Sequence, residues 1–182
     1  MIFFTSDPHF GHSNIIRTAQ RPFDTVEEMD AALIRNWNER VSPDDEVYLL
    51  GDLTMRGPQY AMSILGQLNG MKFLVRGNHD GFADRVSFDR SLFGWVKDYH
   101  KLIYQGVQLI LFHYPIAEWD QAHHGSIHLH GHQHNPYNLG NAKRGLRRYD
   151  VGVDANGMAP VSIEEILAFF ACSEAGQSSG DV

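Results

Sequence analysis

The sequence predicts an α/β fold, and two observations carry that prediction. Short apolar, β-prone runs alternate with segments of helical periodicity through the first half of the chain. These runs also stop, again and again, at an Asp, Asn or His beside a glycine or proline, as strands do when they deliver side chains to a sheet edge. A length of 182 residues fits one domain, and 43% apolar residues suffice for a substantial core.

Taken in order, Ile2 to Ser6 reads as the first strand and ends at Asp7-Pro8-His9. Val26 to Val41 reads as a helix. Val26, Met29, Leu33 and Trp37 form one apolar stripe, Asp24 or Thr25 caps the start, and Glu27 and Glu28 favour the positive end of the helix dipole. Glu46 to Leu50 is a buried strand ending at Gly51-Asp52, Gln59 to Leu68 a helix, and Met71 to Arg76 a strand ending at Gly77-Asn78-His79-Asp80. In the second half, Val96 to Tyr104 and Val107 to Phe112 flank Gln105-Gly106 and suggest a hairpin, with His113 at its end. Ser126 to His130 runs into Gly131-His132-Gln133-His134, and Tyr149 to Val153 is a further strand. Ile163 to Ala171 is a terminal helix started by Ser162, so one domain is expected over residues 1–171, with a Ser/Gly-rich tail, 172–182, expected to be disordered.

Composition narrows the function classes. The net charge of −7 argues against nucleic-acid binding through bulk charge, although a local basic patch remains compatible with it. The single cysteine, Cys172, leaves no intrachain disulfide and no CxxC metal site, which points to a reducing cytoplasm. No apolar run reaches membrane-spanning length, and the start of the chain lacks the pattern of a signal peptide. Eleven histidines are present, seven of them from His113 to His134, which points to metal ligation or proton transfer.

Five predicted strands end in metal-capable side chains: Asp7 and His9, Asp52, Asn78 and His79, His113, and His132 and His134. Ligands gather outside the carboxyl ends of strands in such sheets, so five loops can converge on one point. The two i, i+2 pairs, 7 with 9 and 132 with 134, would project the same way from an extended segment. Gly51, Gly77 and Gly131 free the backbone to turn beside the ligands. Oxygen and imidazole donors without thiolate suit Mn²⁺, Fe, Ni²⁺ or Zn²⁺ in a centre of two divalent ions, with Mn²⁺ the first choice.

The ordered set DPH, GD, GNHD, H and GHQH resembles the calcineurin-like metallophosphoesterase superfamily, over residues 7–134. The resemblance implies a four-layer α/β/β/α sandwich of two mixed sheets flanked by helices. It implies that Asp7, His9 and His134 hold one ion, that Asn78, His113 and His132 hold the other, and that Asp52 bridges them. A metal-bridging hydroxide would attack phosphorus, and His79, oriented by Asp80, would protonate the leaving group. Gly51 to Pro58 is similar to the GDxxxRG segment of protein phosphatases and dinucleoside-polyphosphate hydrolases, which implies a phosphate-gripping role for Arg56. SDPHFGHSNII and YDVGVDANGMAPVS resemble a small bacterial and phage branch of phosphohydrolases.

Other polar residues take plainer readings. His12 with Asn14 is either near the substrate or part of a helix cap, and His123 and His124 read as an exposed loop. His128 and His130 are supporting partners of the ligands or buried strand residues, and His100 is structural. Lys143, Arg144, Arg147 and Arg148 read by default as a solvated loop, with contact to an extended phosphate chain or a nucleic-acid backbone as the alternative. Asp154-Ala155-Asn156-Gly157 reads as a turn.

The reading is a phosphoesterase acting on a small phosphate ester, leaning to a phosphodiester or nucleotide, with no membrane partner. A nuclease of the same superfamily and a non-catalytic scaffold for a partner protein are the alternatives. The sequence leaves the oligomeric state open.

Overall fold

The computed structural model describes residues 1–134 and 138–178. The chain forms two mixed sheets packed face to face, with helices outside. In the first sheet, β1 (Ile2–Thr5), β2 (Glu46–Leu49), β3 (Met71–Val75) and β4 (Val96–Lys97) are parallel neighbours, and β9 (Val161–Ser162) runs antiparallel against β1. The second sheet orders β5 (His100–Tyr104), β6 (Val107–Leu111), β7 (Ile127–His130) and β8 (Arg148–Asp150); β5 and β6 form an antiparallel hairpin, and the rest is parallel.

Alternation along the first sheet builds two cores. Phe3, Val47, Leu49 and Leu74 face α1 (Ser13–Thr18), α2 (Val26–Arg40) and α3 (Pro58–Leu65), where Ile15, Met29, Leu33, Trp37, Ala61 and Leu65 complete one cluster. Phe4, Tyr48, Leu50, Phe73 and Val75 face the second sheet and meet Leu109, Leu111, Ile127 and Leu129. These strands are apolar on both faces because both faces are covered. The expected stripe of α2 is buried at Met29, Leu33 and Trp37, and the Thr25 hydroxyl accepts from Glu28 N at 3.2 Å as its cap. Beyond the second sheet lie α4 (Asn138–Lys143), packed on β8, and a loop in which Trp119 lies 5.4 Å from the His128 ring. Ile163, Ile166 and Phe170 of α5 (Ile163–Ser178) join the inter-sheet core.

Three expectations change. Val96 to Tyr104 is two strands in different sheets, because the chain crosses between the layers after Lys97. The basic stretch is no simple loop, since Lys143 ends α4 and Arg148 begins β8. The terminal helix passes Ala171 and reaches Ser178, so the tail expected to be disordered is helical in backbone up to that residue; Cys172 to Ser178 contains no proline to stop it. Residues 179–182 lie outside the described residues.

The carboxyl ends of the two sheets are joined. Ser6 bridges Gly152, and Val153 N donates to Ser6 O at 3.0 Å. The inter-sheet core sets how accurately these ends meet. Phe4, fully buried and stacked on Tyr48 with ring centroids 5.5 Å apart, is its midpoint. Phe4→Ala should destabilise the chain by about 3 to 5 kcal/mol, read as a lowered urea midpoint at unchanged slope.

Candidate metal centre

All seven predicted ligands come together at the joined strand ends. Asp7, His9 and His134 bring one ligand atom each within 4.8 Å of one another, and so do Asp52, His113 and His132. The groups meet at Asp52. Its Oδ2 lies 3.6 Å from His9 Nε2 and 3.6 Å from His113 Nε2, while its Oδ1 accepts the His79 backbone N–H at 2.8 Å. Asp7 Oδ1 lies 3.9 Å from both His9 Nε2 and His134 Nε2, and Asp7 Oδ2 accepts the His132 backbone N–H at 2.8 Å.

The convergence has a different cause from the one expected. Asp7 and His9 have φ of 58° and 51°, Asp52 has 57°, and His132 and His134 have 72° and 51°. Five of the seven candidates are thus in the left-handed region, which non-glycine residues rarely adopt. The i, i+2 pairs face inward because their backbones curl, and not because they continue a strand. Such strain persists only where surrounding structure enforces it. Glycine makes room for the crossing loops: a Cβ on Gly131 would sit 2.1 Å from Asp7 Oδ2, and one on Gly51, whose φ is 97°, would sit 2.5 Å from Gly77 N.

Backbone and side-chain partners fix which imidazole nitrogen faces inward. His113 Nδ1–H donates to Leu50 O at 2.7 Å, and His134 Nδ1–H donates to Asp154 Oδ2 at 2.8 Å. Each therefore presents an Nε2 lone pair to the centre. His113 Nε2 stands 3.1 Å from Asn78 Oδ1, so two lone pairs face each other there. Asp7 Oδ1 and both ring nitrogens of His9 are buried with no hydrogen-bond partner. Unpartnered buried polar groups are costly, and a cation facing the Asp7 oxygen and the acceptor nitrogen of His9 lowers the cost. The donor set therefore fits divalent metal ions.

Electrostatics agree. Burial pushes the Asp7 carboxyl up, against the pull of His113 and His134. Burial, with His134 and Arg21 nearby, takes His9 down to about 2, so it stays a neutral ligand. His132 is lowered by burial and by His113. Burial also pulls on His134, but Asp154 and Asp7 outweigh it and raise the ring.

Of the three predicted helpers, one makes contacts other than those expected. Asp80 makes no hydrogen bond to the His79 ring among the described residues. Its carboxylate accepts the backbone N–H groups of Asp52, Gly77 and Leu53 at 2.8, 2.8 and 3.0 Å, which occupies its oxygens and pins the two ligand loops together. Burial takes Asp80 up to about 6 despite those bonds. His79 remains close, with Nε2 3.9 Å from Asp52 Oδ2, and lines a cavity of about 200 Å³ with Thr54, Met55, Phe82 and Arg85. Arg56 is exposed and stacks on Tyr60 at 4.9 Å; Tyr60 donates to Asp30, whose carboxylate accepts Gly11 N at 3.0 Å, just after the first ligand loop.

The sequence reading missed Arg21. Its buried guanidinium donates to Asp7 O and Pro8 O, both at 2.7 Å, and to Asp154 at 2.8 and 2.9 Å. Asp154, read as a turn residue, occupies a short 3₁₀ segment and links this arginine to His134. Asp154 follows an apolar run as the ligands do, which was the one available signal; nothing local marked Arg21. His12 lies near the centre, its ring 5.9 Å from that of His9, and is itself the N-cap of α1 without a side-chain capping bond. His123 and His124 are exposed, while His128 and His130 are buried in β7.

Comparison with known proteins now decides the family. Residues 1–154 match the family described as calcineurin-like phosphoesterase. The chain belongs to that family. An uncharacterized protein of Methanocaldococcus jannaschii is 36% identical, with 91% of this chain and 89% of the relative covered. The gene 66 protein of Mycobacterium phage L5 is 30% identical, with coverage of 90% and 91%. A solved structure of a protein of unknown function from Aquifex aeolicus superimposes with a TM-score of 0.73 at 26% identity, covering 92% of this chain and 98% of that one. This calcineurin-like phosphoesterase is accordingly a phosphoric ester hydrolase by family, with candidate metal-ligand groups in place. None of its described helices is long and apolar enough to cross a membrane.

The Arg21–Asp154 pair is removed from water, its side chains 0% and 6% exposed. Arg21→Met leaves a buried carboxylate without its counter-charge and should destabilise the fold by about 3 to 5 kcal/mol in urea unfolding.

Proposed function

We propose that the chain is a dinuclear metal-dependent phosphodiesterase acting on a small diester or nucleotide-type substrate. The position of Asp52 Oδ2, 3.6 Å from an inward Nε2 of each ligand group, is the observation that carries this reading. Asp7, His9 and His134 would hold one ion, and Asn78, His113 and His132 the other, with Asp52 shared. Mn²⁺ is the first choice and Fe, Ni²⁺ or Zn²⁺ the alternatives, because the donors are oxygen and imidazole without thiolate. The chemistry supplied by two bound ions is Lewis acidity, which lowers the pKa of water and neutralises phosphoryl charge.

The chain's own residues do the rest. Asp80, through three backbone bonds, holds the Asp52 loop against the loop that carries Asn78 and His79. The His79 backbone is fastened to Asp52 Oδ1 at 2.8 Å, which fixes its imidazole at the rim while Nε2 stays free to deliver a proton to the leaving oxygen. The cavity beside His79 would receive the leaving group, between the apolar walls of Met55 and Phe82 and the Arg85 cation. Arg56 offers an exposed guanidinium, stacked and therefore oriented, to a phosphoryl oxygen. The complete ligand set counts against the scaffold alternative.

Protein loaded in turn with Mn²⁺, Fe²⁺, Ni²⁺ and Zn²⁺ should hydrolyse bis-p-nitrophenyl phosphate faster than p-nitrophenyl phosphate. EDTA and Asp52→Asn should each reduce turnover to background, and Asp52→Asn should also lose bound metal by elemental analysis. Turnover by Asp52→Asn at the wild-type rate would sink the reading. His79→Ala should lower kcat by about 10²–10⁴ on a diester with an alkyl leaving group, and by much less on the nitrophenyl ester, whose anion needs little protonation. Equal losses on both would remove His79 as the proton donor.

A further inference from the structure

The family reading leaves the basic residues after the last ligand loop without a role. Lys143, Arg144, Arg147 and Arg148 lie within six residues of a chain whose net charge is −7. The fold places two of them on one cavity of about 260 Å³, lined by Gln133, Gly140, Asn141, Arg144 and Arg148. No carboxylate is among its described lining residues. Arg148 is built into the wall: its Nη1 donates to Ile116 O at 3.3 Å and its Nη2 to Asn141 Oδ1 at 3.2 Å, while its Nε is buried without a partner. Arg144 is exposed and has no ion-pair partner among the described residues. The two guanidinium groups repel: burial first, and Arg144 second, lower the Arg148 pKa. Two like charges set on one concave surface, one of them held in place, leave an unmet demand for an anion.

One lining residue also ties the cavity to the candidate centre. Gln133 sits between His132 and His134, so its Cα is about 3.8 Å from that of each ligand residue. We infer that this cavity is a second phosphate subsite, which takes a non-reacting phosphate of a small substrate while its scissile ester lies at the metal centre. The inference rests on the phosphoesterase reading for the word substrate, and on the arginine pair alone for the anion. It narrows the substrate class to small esters that carry a further phosphate group, with Arg144 and Arg148 as specificity-determining residues.

Binding and turnover test it separately. Inorganic pyrophosphate titrated calorimetrically in EDTA should bind wild-type protein and Asp52→Asn alike. It should bind Arg144→Gln about tenfold more weakly and Arg144→Glu not at all. Arg144 is exposed, so both variants should unfold at the wild-type temperature; Arg148→Lys, which keeps the charge without the fork, is a second probe and should also weaken binding. With Mn²⁺ present, kcat/KM for the 5′-phosphorylated dithymidine dinucleotide should fall about tenfold in Arg144→Gln. Values for the unphosphorylated dinucleotide and for bis-p-nitrophenyl phosphate should stay within twofold. Absent pyrophosphate binding, or binding that Arg144→Glu leaves intact, overturns the subsite. A parallel loss on all three esters also overturns it, since Arg144 would then serve the reaction centre. Tighter binding of a twelve-nucleotide single strand than of the dinucleotide, lost in the same variants, would replace it with a nucleic-acid groove. Failure of every ester with every metal would strike the phosphoesterase reading and leave the binding result standing.

Discussion

The Arg21–Asp154 ion pair joins parts of the chain that are 133 residues apart, and the candidate centre is arranged around it. On one side the guanidinium holds the carbonyls of Asp7 and Pro8, which forces the first ligand loop into its curled path. On the other, the Asp154 carboxylate holds His134 Nδ1–H, which turns Nε2 toward Asp7. The first and last ligand loops are therefore positioned by one buried contact. A buried ion pair is weak evidence of net stability, because desolvation offsets most of the attraction. Its value here is positional. Asp154 is held ionised against the cost of burial by His134 and Arg21, and so remains an acceptor in the correct place.

Asp80 performs the matching task across the first sheet. Two of its three backbone donors belong to the β2 loop and one to the β3 loop, so the Asp52 and Asn78 ends cannot drift apart. Between these two anchors the left-handed residues are over-determined. Each such residue costs on the order of 1 to 3 kcal/mol, and five of them gather at this site. That cost falls at the point where two well-packed sheets meet, where the rest of the structure can sustain it.

Most of the fold was legible because its strands are short, apolar and punctuated, and because their polar ends share an edge. The alternation Phe3/Phe4 and Val47/Tyr48 is a sheet covered on both faces, and it reads directly from sequence. The convergence of the candidate ligands was legible for the same reason. The division of Val96 to Tyr104 between sheets was not, since both halves carry the same propensity and only tertiary packing separates them. The contacts of Asp80 were not legible, because sequence adjacency to His79 suggested a side-chain contact, whereas its carboxylate accepts backbone N–H groups, two from the β2 loop and one from its own. Arg21 was invisible: one arginine beside a proline carries no local pattern, and its importance lies in contacts with residues far along the chain.

The orphaned acceptors bear on stability as well as chemistry. Asp7 Oδ1 and the His9 ring nitrogens are buried without partners, and beneath them Asp150 Oδ2 and His130 Nε2 are too. Burial lifts Asp150 to about 7 and takes His130 down to about 3, so both groups are pushed toward their neutral forms. An ion bound at the candidate centre interacts with a geometry that only the folded chain possesses, so its binding energy adds to folding. The strain in the ligand loops and the affinity for metal are then two aspects of one arrangement: the backbone is held in a conformation it would otherwise leave, and the cation supplies the contacts that the acceptors lack.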